Sequence, residues 1–568
     1  MHQLTTPYQE NFDKENVWTV YPRPSLKRDS FFSLNGEWDF ASTKSEIFPS
    51  VYEEKILVPF PPESYLSGIN RILDKDEILY YRRSFVLPEG FIKEKVILHF
   101  GGVDQSCEVF INGLSIGKNV GGYIPFSFDI TDIINSTENE ISLKVYDNLS
   151  DIYPYGKQKR ERGGMWYTEV SGIWQTVWLE SVPKEFISNI KIMSHLDSAT
   201  IQISSPVKEK RLTLLDSNEI FEFEGDCITI KPKEKRAWSP QDPYLYRFRI
   251  ECGDDSVESY FALREVSIKK VGGVSKIHLN NKPYLFHGLL DQGYFPDGIF
   301  LPATYKGFEE DILTAKRLGF NMLRKHIKIE PEIFYYLCDK LGMVVFQDMV
   351  NNSDYSFFRD TALPTIGIKR LKDKKMHRNE ESRSMFKKHM TDTIQHLYNH
   401  PSIVYYTIFN EGWGQFCADD MYALAKSVDN TRIYDSTSGW FFQKDSDVDS
   451  HHIYFKKLKA KPNADKPTVI SEFGGYSHRC EGHVYSPQNY GYKTFCKQED
   501  FESAFKSLYT EQVLPLVKDG VCAFVYTQLS DVEDETNGLL TYDRRVVKIS
   551  EELAQSISTK LMEAFLEN

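Results

Sequence analysis

The run Ser402-Ile403-Val404-Tyr405-Tyr406-Thr407-Ile408-Phe409 stops at Asn410-Glu411-Gly412-Trp413, and a second run, Pro467-Thr468-Val469-Ile470-Ser471, stops at Glu472-Phe473-Gly474-Gly475. Unbroken stretches of β-branched and aromatic residues read as strands buried on both faces, as in a parallel sheet. An ionisable side chain at the end of such a stretch is costly unless it meets a polar cleft or a partner. One such glutamate alone is read more readily as a helix cap or half of an ion pair. Two in equivalent places on separate strands suggest a pair of carboxyls, one to donate a proton and one to stay ionised, the equipment for splitting a glycosidic bond.

Working outward, apolar strand-like runs recur at 283–290, 320–324, 343–347, 402–409, 432–435, 449–454, 467–472 and 521–528. Helical patterns separate them. Phe308, Ile312, Leu313, Ala315 and Leu318 share one face, Pro331 opens another helix, and Met385 to Leu397 form a longer one stopped by Asn399-His400-Pro401. This rhythm over 272–568 predicts a (β/α)8 barrel, in which sites form at the C-terminal strand ends. Upstream the period changes to short alternating segments divided by turns such as Asn112-Gly113 and Gly121-Gly122. Residues 1–185 read as a jelly-roll β-sandwich and 186–271 as a small immunoglobulin-like sandwich. The expected fold class is multidomain β plus α/β.

The 568 residues carry a net charge of -13, which argues against nucleic acid or an anionic membrane as partner. The basic stretch Lys369-Arg370 to Arg378, punctuated by Asp373, reads as a solvated loop. The 8 cysteines show no metal-ligand spacing, and His451-His452 and His478/His483 lack an obvious set of partners, so no metal and no cofactor is expected. The first residues, from Met1-His2-Gln3, show no basic start and no apolar segment, and no run is long enough to span a bilayer. A cytoplasmic location with reduced thiols follows as the expectation. Whether identical copies assemble into a homo-oligomer stays open.

Glu411 precedes Gly412-Trp413, so an indole beside it would limit hydration and raise its pKa, as suits a general acid. Glu472, with slack backbone at Gly474-Gly475 where a sugar could approach, is read as the nucleophile. Asn410 is either a hydroxyl partner of the sugar or a turn residue.

These motifs resemble glycoside hydrolase family 2, the β-galactosidases, β-glucuronidases, β-mannosidases and relatives. The likeness runs through Ser33-Leu34-Asn35-Gly36-Glu37-Trp38, Tyr80-Tyr81-Arg82-Arg83-Ser84-Phe85, Ser171-Gly172-Ile173-Trp174, Trp238-Ser239-Pro240 and Leu279-Asn280-Asn281-Lys282-Pro283. Its most specific part is His400-Pro401-Ser402 followed by Asn410-Glu411. The resemblance implies Glu411 as acid/base, Glu472 as nucleophile, Asn410 as hydroxyl partner, Tyr454 near the nucleophile and Arg324 holding it ionised. A core role for Tyr454 is an equal alternative on the residues alone.

Departures from the family pattern lie at Gly288-Leu289-Leu290-Asp291-Gln292-Gly293, at Arg324-Lys325-His326-Ile327-Lys328 and at Val525-Tyr526-Thr527-Gln528. Where glucuronidases grip a carboxylate, this chain has Glu535-Thr536-Asn537. Asp291, Gln292, His326, Trp413, Tyr526 and Gln528 are the remaining candidate substrate contacts. The expectation is a retaining exo-glycosidase, most like a β-galactosidase, with a carbohydrate substrate. An α-L-arabinosidase, a β-mannosidase or a non-catalytic sugar-binding relative are the alternatives.

Overall fold

The computed structural model describes residues 4–10, 12–368 and 371–567. Met1, His2, Gln3, Lys369 and Arg370 thus lie outside the described residues. Two antiparallel sheets build the N-terminal sandwich. The larger has the spatial order Glu54–Val58, Gly36–Thr43, Ile78–Val86, Glu138–Tyr146, Ser106–Ile111 and Leu114–Val120. The smaller runs Phe32–Ser33, Val177–Val182, Lys95–Phe100 and Phe126–Asp129. Alternating inward side chains, among them Trp38, Phe40, Leu98, Val109 and Leu143, fill the space between them. A second sandwich follows. A sheet of Asn189–Ser194, Ala199–Ser204 and Cys227–Ile230 faces one of Ile220–Glu224, Glu209–Leu214, Tyr246–Cys252 and Asp255–Phe261 across Ile201, Leu212, Phe248 and Ile250.

The C-terminal region is a parallel eight-stranded sheet of Phe286–Asp291, Met322–Lys325, Val344–Asp348, Ile403–Asn410, Ile433–Ser438, Asp449–Ile453, Thr468–Gly474 and Ala523–Thr527. The first strand pairs with both the second and the eighth, so the sheet curls into a barrel whose one unladdered seam lies between the fifth and sixth. Phe286, Phe346 and Tyr405 pack as a column of rings, 5.4 and 4.2 Å between centroids.

Local signals place the helices between strands. Lys306–Arg317 buries Phe308, Ile312 and Ala315. Glu332–Leu341 opens after Pro331 and closes at the left-handed Gly342. Glu380–His396 is capped by Asn379, whose Oδ1 accepts from the Glu381 and Ser382 amides. Asp373, expected in a solvated loop, is instead buried and accepts from the Ala418 amide at the start of Ala418–Val428. No helix among the described residues is long and apolar enough to cross a membrane.

The sandwiches are bolted to the barrel by buried polar contacts. The Tyr260 hydroxyl, His400 Nδ1 and the Ser402 amide converge on the Asp339 carboxylate at 2.7–2.9 Å, and Trp238 Nε1 donates to the Asp339 carbonyl. From the N-terminal sandwich, the segment 150–171 lies over the C-terminal rim of the barrel. The Tyr155 hydroxyl donates to the Ser353 carbonyl, Tyr167 to the Glu535 carboxylate, and the Thr168 amide to Glu533.

Candidate active site

Asn410 is the last residue of the fourth strand, and Glu411 follows in a left-handed backbone, φ 54°. For a side chain with a Cβ that conformation is disfavoured. It is held by the Glu411 amide donating to the Ser438 carbonyl, 2.9 Å, and by Trp440 Nε1 donating to the Glu411 carbonyl, 2.8 Å. The sequence reading ended the seventh strand at Glu472. The strand instead continues to Gly474, with a register shift against the eighth strand between Ile470 and Phe473 and one against the sixth at His451/His452. Such irregularities turn individual side chains toward the axis.

Glu472, 4 % exposed, receives the Arg324 guanidinium on Oε1 at 3.1 Å and the Tyr454 hydroxyl on Oε2. Tyr454 also meets Thr527 Oγ1 at 2.9 Å and stacks on Tyr492, centroids 4.0 Å apart. Arg324 fans out between the strand ends, its Nε donating to Asp348 at 2.9 Å, one terminal nitrogen to the Ser471 carbonyl at 2.9 Å and the other to Asn410 Oδ1 at 2.9 Å. Burial works against its charge, but Asp348 and Glu472 outweigh that, so Arg324 stays a cation. Burial likewise pushes the Glu472 carboxyl up and Glu411 adds to it, while His452, Arg324 and Tyr454 pull it back. His326 backs the cation from behind, its Nδ1 2.7 Å from Asp348 Oδ2, and burial pushes the imidazole down to about 3, leaving it neutral.

The sequence reading found no partners for His452. Its ring stands between the two glutamates, Nδ1 2.7 Å from Glu411 Oε1 and 3.5 Å from Glu472 Oε2. One donor atom from each of these three residues lies within 4.8 Å of the other two. The Arg324 guanidinium already neutralises Glu472 from one side and the Tyr454 hydroxyl donates to its other oxygen, a poor setting for a metal cation.

The other expected contacts divide. Gln292 Nε2 donates to Gln528 Oε1 at 2.8 Å, Gln528 to Asn537 at 2.8 Å, and Asn537 to Glu535 at 2.9 Å, a buried amide chain that ends on Tyr167. Asp291 is not a free sugar contact. Lys325 holds it at 2.6 Å and also bridges to Glu330. Tyr526, expected against the substrate, instead packs its ring outward on Phe505, 5.1 Å, and Phe473, 5.7 Å. Successive strand residues face opposite sides, so its neighbour Thr527 is the one that reaches Tyr454. The glycines after Glu472 also serve a different purpose. A Cβ on Gly475 would stand 2.1 Å from Tyr492, so the missing side chain admits a ring.

Trp413 stacks on Trp166 from the N-terminal sandwich, centroids 5.2 Å and planes 21° apart, and the indole bonded to Glu411 is that of Trp440. Beside them Lys157, 7 % exposed, lies 5.6 Å over Trp413 and 5.7 Å over Tyr167, with no carboxylate in ion-pair range among the described residues. Trp166, Lys157, Asp348, Ser438 and His452 carried no sequence signal, because each is made relevant only by partners distant in the chain.

Comparison with known proteins places the fold in a family. Residues 269–559 match the model for the glycosyl hydrolases family 2 TIM barrel domain, and 68–183 match the family's sugar binding domain. The chain belongs to glycosyl hydrolase family 2. It is 26% identical over 359 residues to a putative beta-glucuronidase of Formosa agariphila, covering 58% of this chain and 39% of that protein. It is 25% identical over 451 residues to a beta-galactosidase of Thermoanaerobacter pseudethanolicus, covering 73% and 55%. The chain thus spans about half the length of the curated relatives it matches. A beta-D-glucuronidase structure from Dictyoglomus thermophilum shares the fold at a TM-score of 0.74 and 19% identity, over 96% of this chain and 98% of that one.

Proposed function

We propose that the chain is a retaining, exo-acting glycoside hydrolase in which Glu472 attacks the anomeric carbon and Glu411 is the acid/base. The observation that carries this reading is the approach of the two carboxyl groups, with an oxygen of each within 4.8 Å. Retention requires about 5–5.5 Å between the groups, whereas inversion needs about 6.5–9.5 Å to admit a water. Glu472 takes the nucleophile's part because Arg324 and Tyr454 both donate to it, which favours the anion. Glu411 is the more exposed of the two, its side chain 13% exposed, as suits a group that meets a leaving oxygen. Asn410 keeps its amide nitrogen for a sugar hydroxyl, its oxygen being held by Arg324. The covered rim supports action at a chain end.

The substrate best suited is a neutral hexoside of the β-galactoside kind. By the family resemblance Glu535 and Asn537 stand where glucuronidases grip a uronate; both are buried here, and a carboxylate brought against Glu535 would be repelled. One observation favours a second reading. Lys157 is a buried cation with no carboxylate partner among the described residues, and an acidic sugar would supply one. Hydrolysis of a panel of nitrophenyl glycosides, with the anomer of the first product read by proton NMR, tests both. β-Galactoside cleavage with retention is expected. Arabinoside or mannoside preference would move the substrate, inversion would overturn the mechanism, and no hydrolysis would leave a sugar-binding role.

A further inference from the structure

His452 is placed with more care than a filler of the barrel interior requires. Its Nδ1 faces Glu411 Oε1 at 2.7 Å and Glu472 Oε2 at 3.5 Å, and its Nε2 faces Ser438 Oγ at 2.6 Å and an Arg324 nitrogen at 3.4 Å. The ring is admitted by Gly439, where a Cβ would stand 2.8 Å from its Cγ, and the edge of Trp440 closes the other side, 5.7 Å away. From Ser438 a chain of hydroxyls leads on through Ser471, 3.2 Å, to Ser450, 2.6 Å. Each hydroxyl in such a chain can turn to donate or accept. Nε2 therefore has a partner whether or not it carries a hydrogen.

The charged groups around the ring come from several strands. Glu411 and Glu472 face it directly, Arg324 approaches Nε2, and Asp348 and the neutral His326 balance Arg324 from behind. Tyr454 meets it only through Glu472. Asp435, whose carboxyl burial pushes up to about 6, lies beyond Ser450. With Arg324 offset by Asp348, one negative charge on Glu472 remains to be faced by whatever proton sits between Glu411 and His452.

We propose that Glu411 and His452 hold the acid proton jointly, so that His452 is a positioning residue that tunes the acid/base of this site. The inference rests on the glycosidase reading above. In the first half-reaction the glycosidic oxygen takes the shared proton through Glu411 as its bond to the anomeric carbon breaks and the Glu472 oxygen bonds to that carbon. In the second half a water attacks the same carbon, the bond to Glu472 breaks, and the water's proton returns to the Glu411–His452 pair. A second basic atom at 2.7 Å widens the pH range over which a proton is available.

The test is His452→Asn, which keeps a donor near Glu411 but no second basic site, alongside Ser438→Ala, which leaves the ring and removes its Nε2 partner. In His452→Asn the alkaline limb of kcat/KM is expected to fall by a pH unit or more. Glycosides with poor leaving groups should lose at least tenfold more rate than nitrophenyl glycosides, and Ser438→Ala should shift the limb the same way by less. Equal losses on all substrates with an unmoved limb would overturn the proposal. Independently of turnover, the 15N resonance of His452 in histidine-labelled protein, assigned by its loss in His452→Asn, should titrate together with the carboxyl carbon of Glu411. Separate titrations would also overturn it. Absence of wild-type hydrolysis would instead fail the glycosidase reading, and the resonance would still report the shared proton.

Discussion

Trp166 and Trp413 lie face to face, their centroids 5.2 Å apart, although one belongs to the N-terminal sandwich and the other follows the candidate acid/base by two residues. The loop that carries Glu411 is therefore propped from outside the barrel. Trp166→Ala removes the prop, and misplacing a catalytic group by a small distance costs about 10²-fold in rate. A kcat loss of that order is expected, with circular dichroism unchanged. Stability should fall by about 3 kcal/mol, the usual cost of truncating a buried tryptophan, read from denaturant midpoints.

Glu472→Gln keeps the shape of the nucleophile without its charge, and turnover of an activated glycoside should fall by about 10³-fold or more. Glu411→Ala should spare activated substrates and cripple those whose leaving group needs a proton. Azide should rescue it and yield the β-glycosyl azide. Near wild-type turnover by Glu472→Gln would refute the assignment.

Wild-type efficiency on a neutral nitrophenyl hexoside should exceed that on the matching glucuronide by at least about tenfold, since an unpaired buried carboxylate costs several kcal/mol. A uronide preference that disappears in Lys157→Met would establish the acidic-sugar reading in its place.

Arg324→Gln leaves Glu472 buried without its guanidinium. Burial already pushes that carboxyl up and Arg324 opposes it, so the acid limb of kcat/KM should move to higher pH. Asp348 loses its partner in the same variant, and a stability cost of about 3–5 kcal/mol is expected from breaking a buried pair.

Glu63 is buried, with the amide and hydroxyl of Ser171 donating to it, and burial pushes its carboxyl up to about 8. The folded protein then holds this proton over a range where the unfolded chain has lost it, so stability declines as pH rises from about 4.5 to 8. Melting temperatures should be lower at pH 8 than at pH 5, and Glu63→Gln should flatten that slope.

Barrel strands were legible because β-branched runs such as 402–409 have few other fates in a soluble chain, and the glutamates stood out as charges at their ends. The aspartate that carries the His400-Pro401-Ser402 motif was not. Asp339 sits on a helix sixty-odd positions earlier, and only the folded chain shows that this motif clamps a sandwich to the barrel rather than touching substrate. Tyr526 and Thr527 differ by one step of strand alternation, which a sequence without known register cannot fix. His452 sits at a register shift against the seventh strand, which periodicity alone does not reveal.

The contact between Tyr167 and Glu535 spans 368 positions of the chain. At ribosomal speeds of about 5–20 residues per second, the first side chain waits on the order of half a minute for the second. The rim above Glu411 is thus joined across the two domains only after a chain holding both glutamates has been made, with the helix Glu551–Leu566 still to follow.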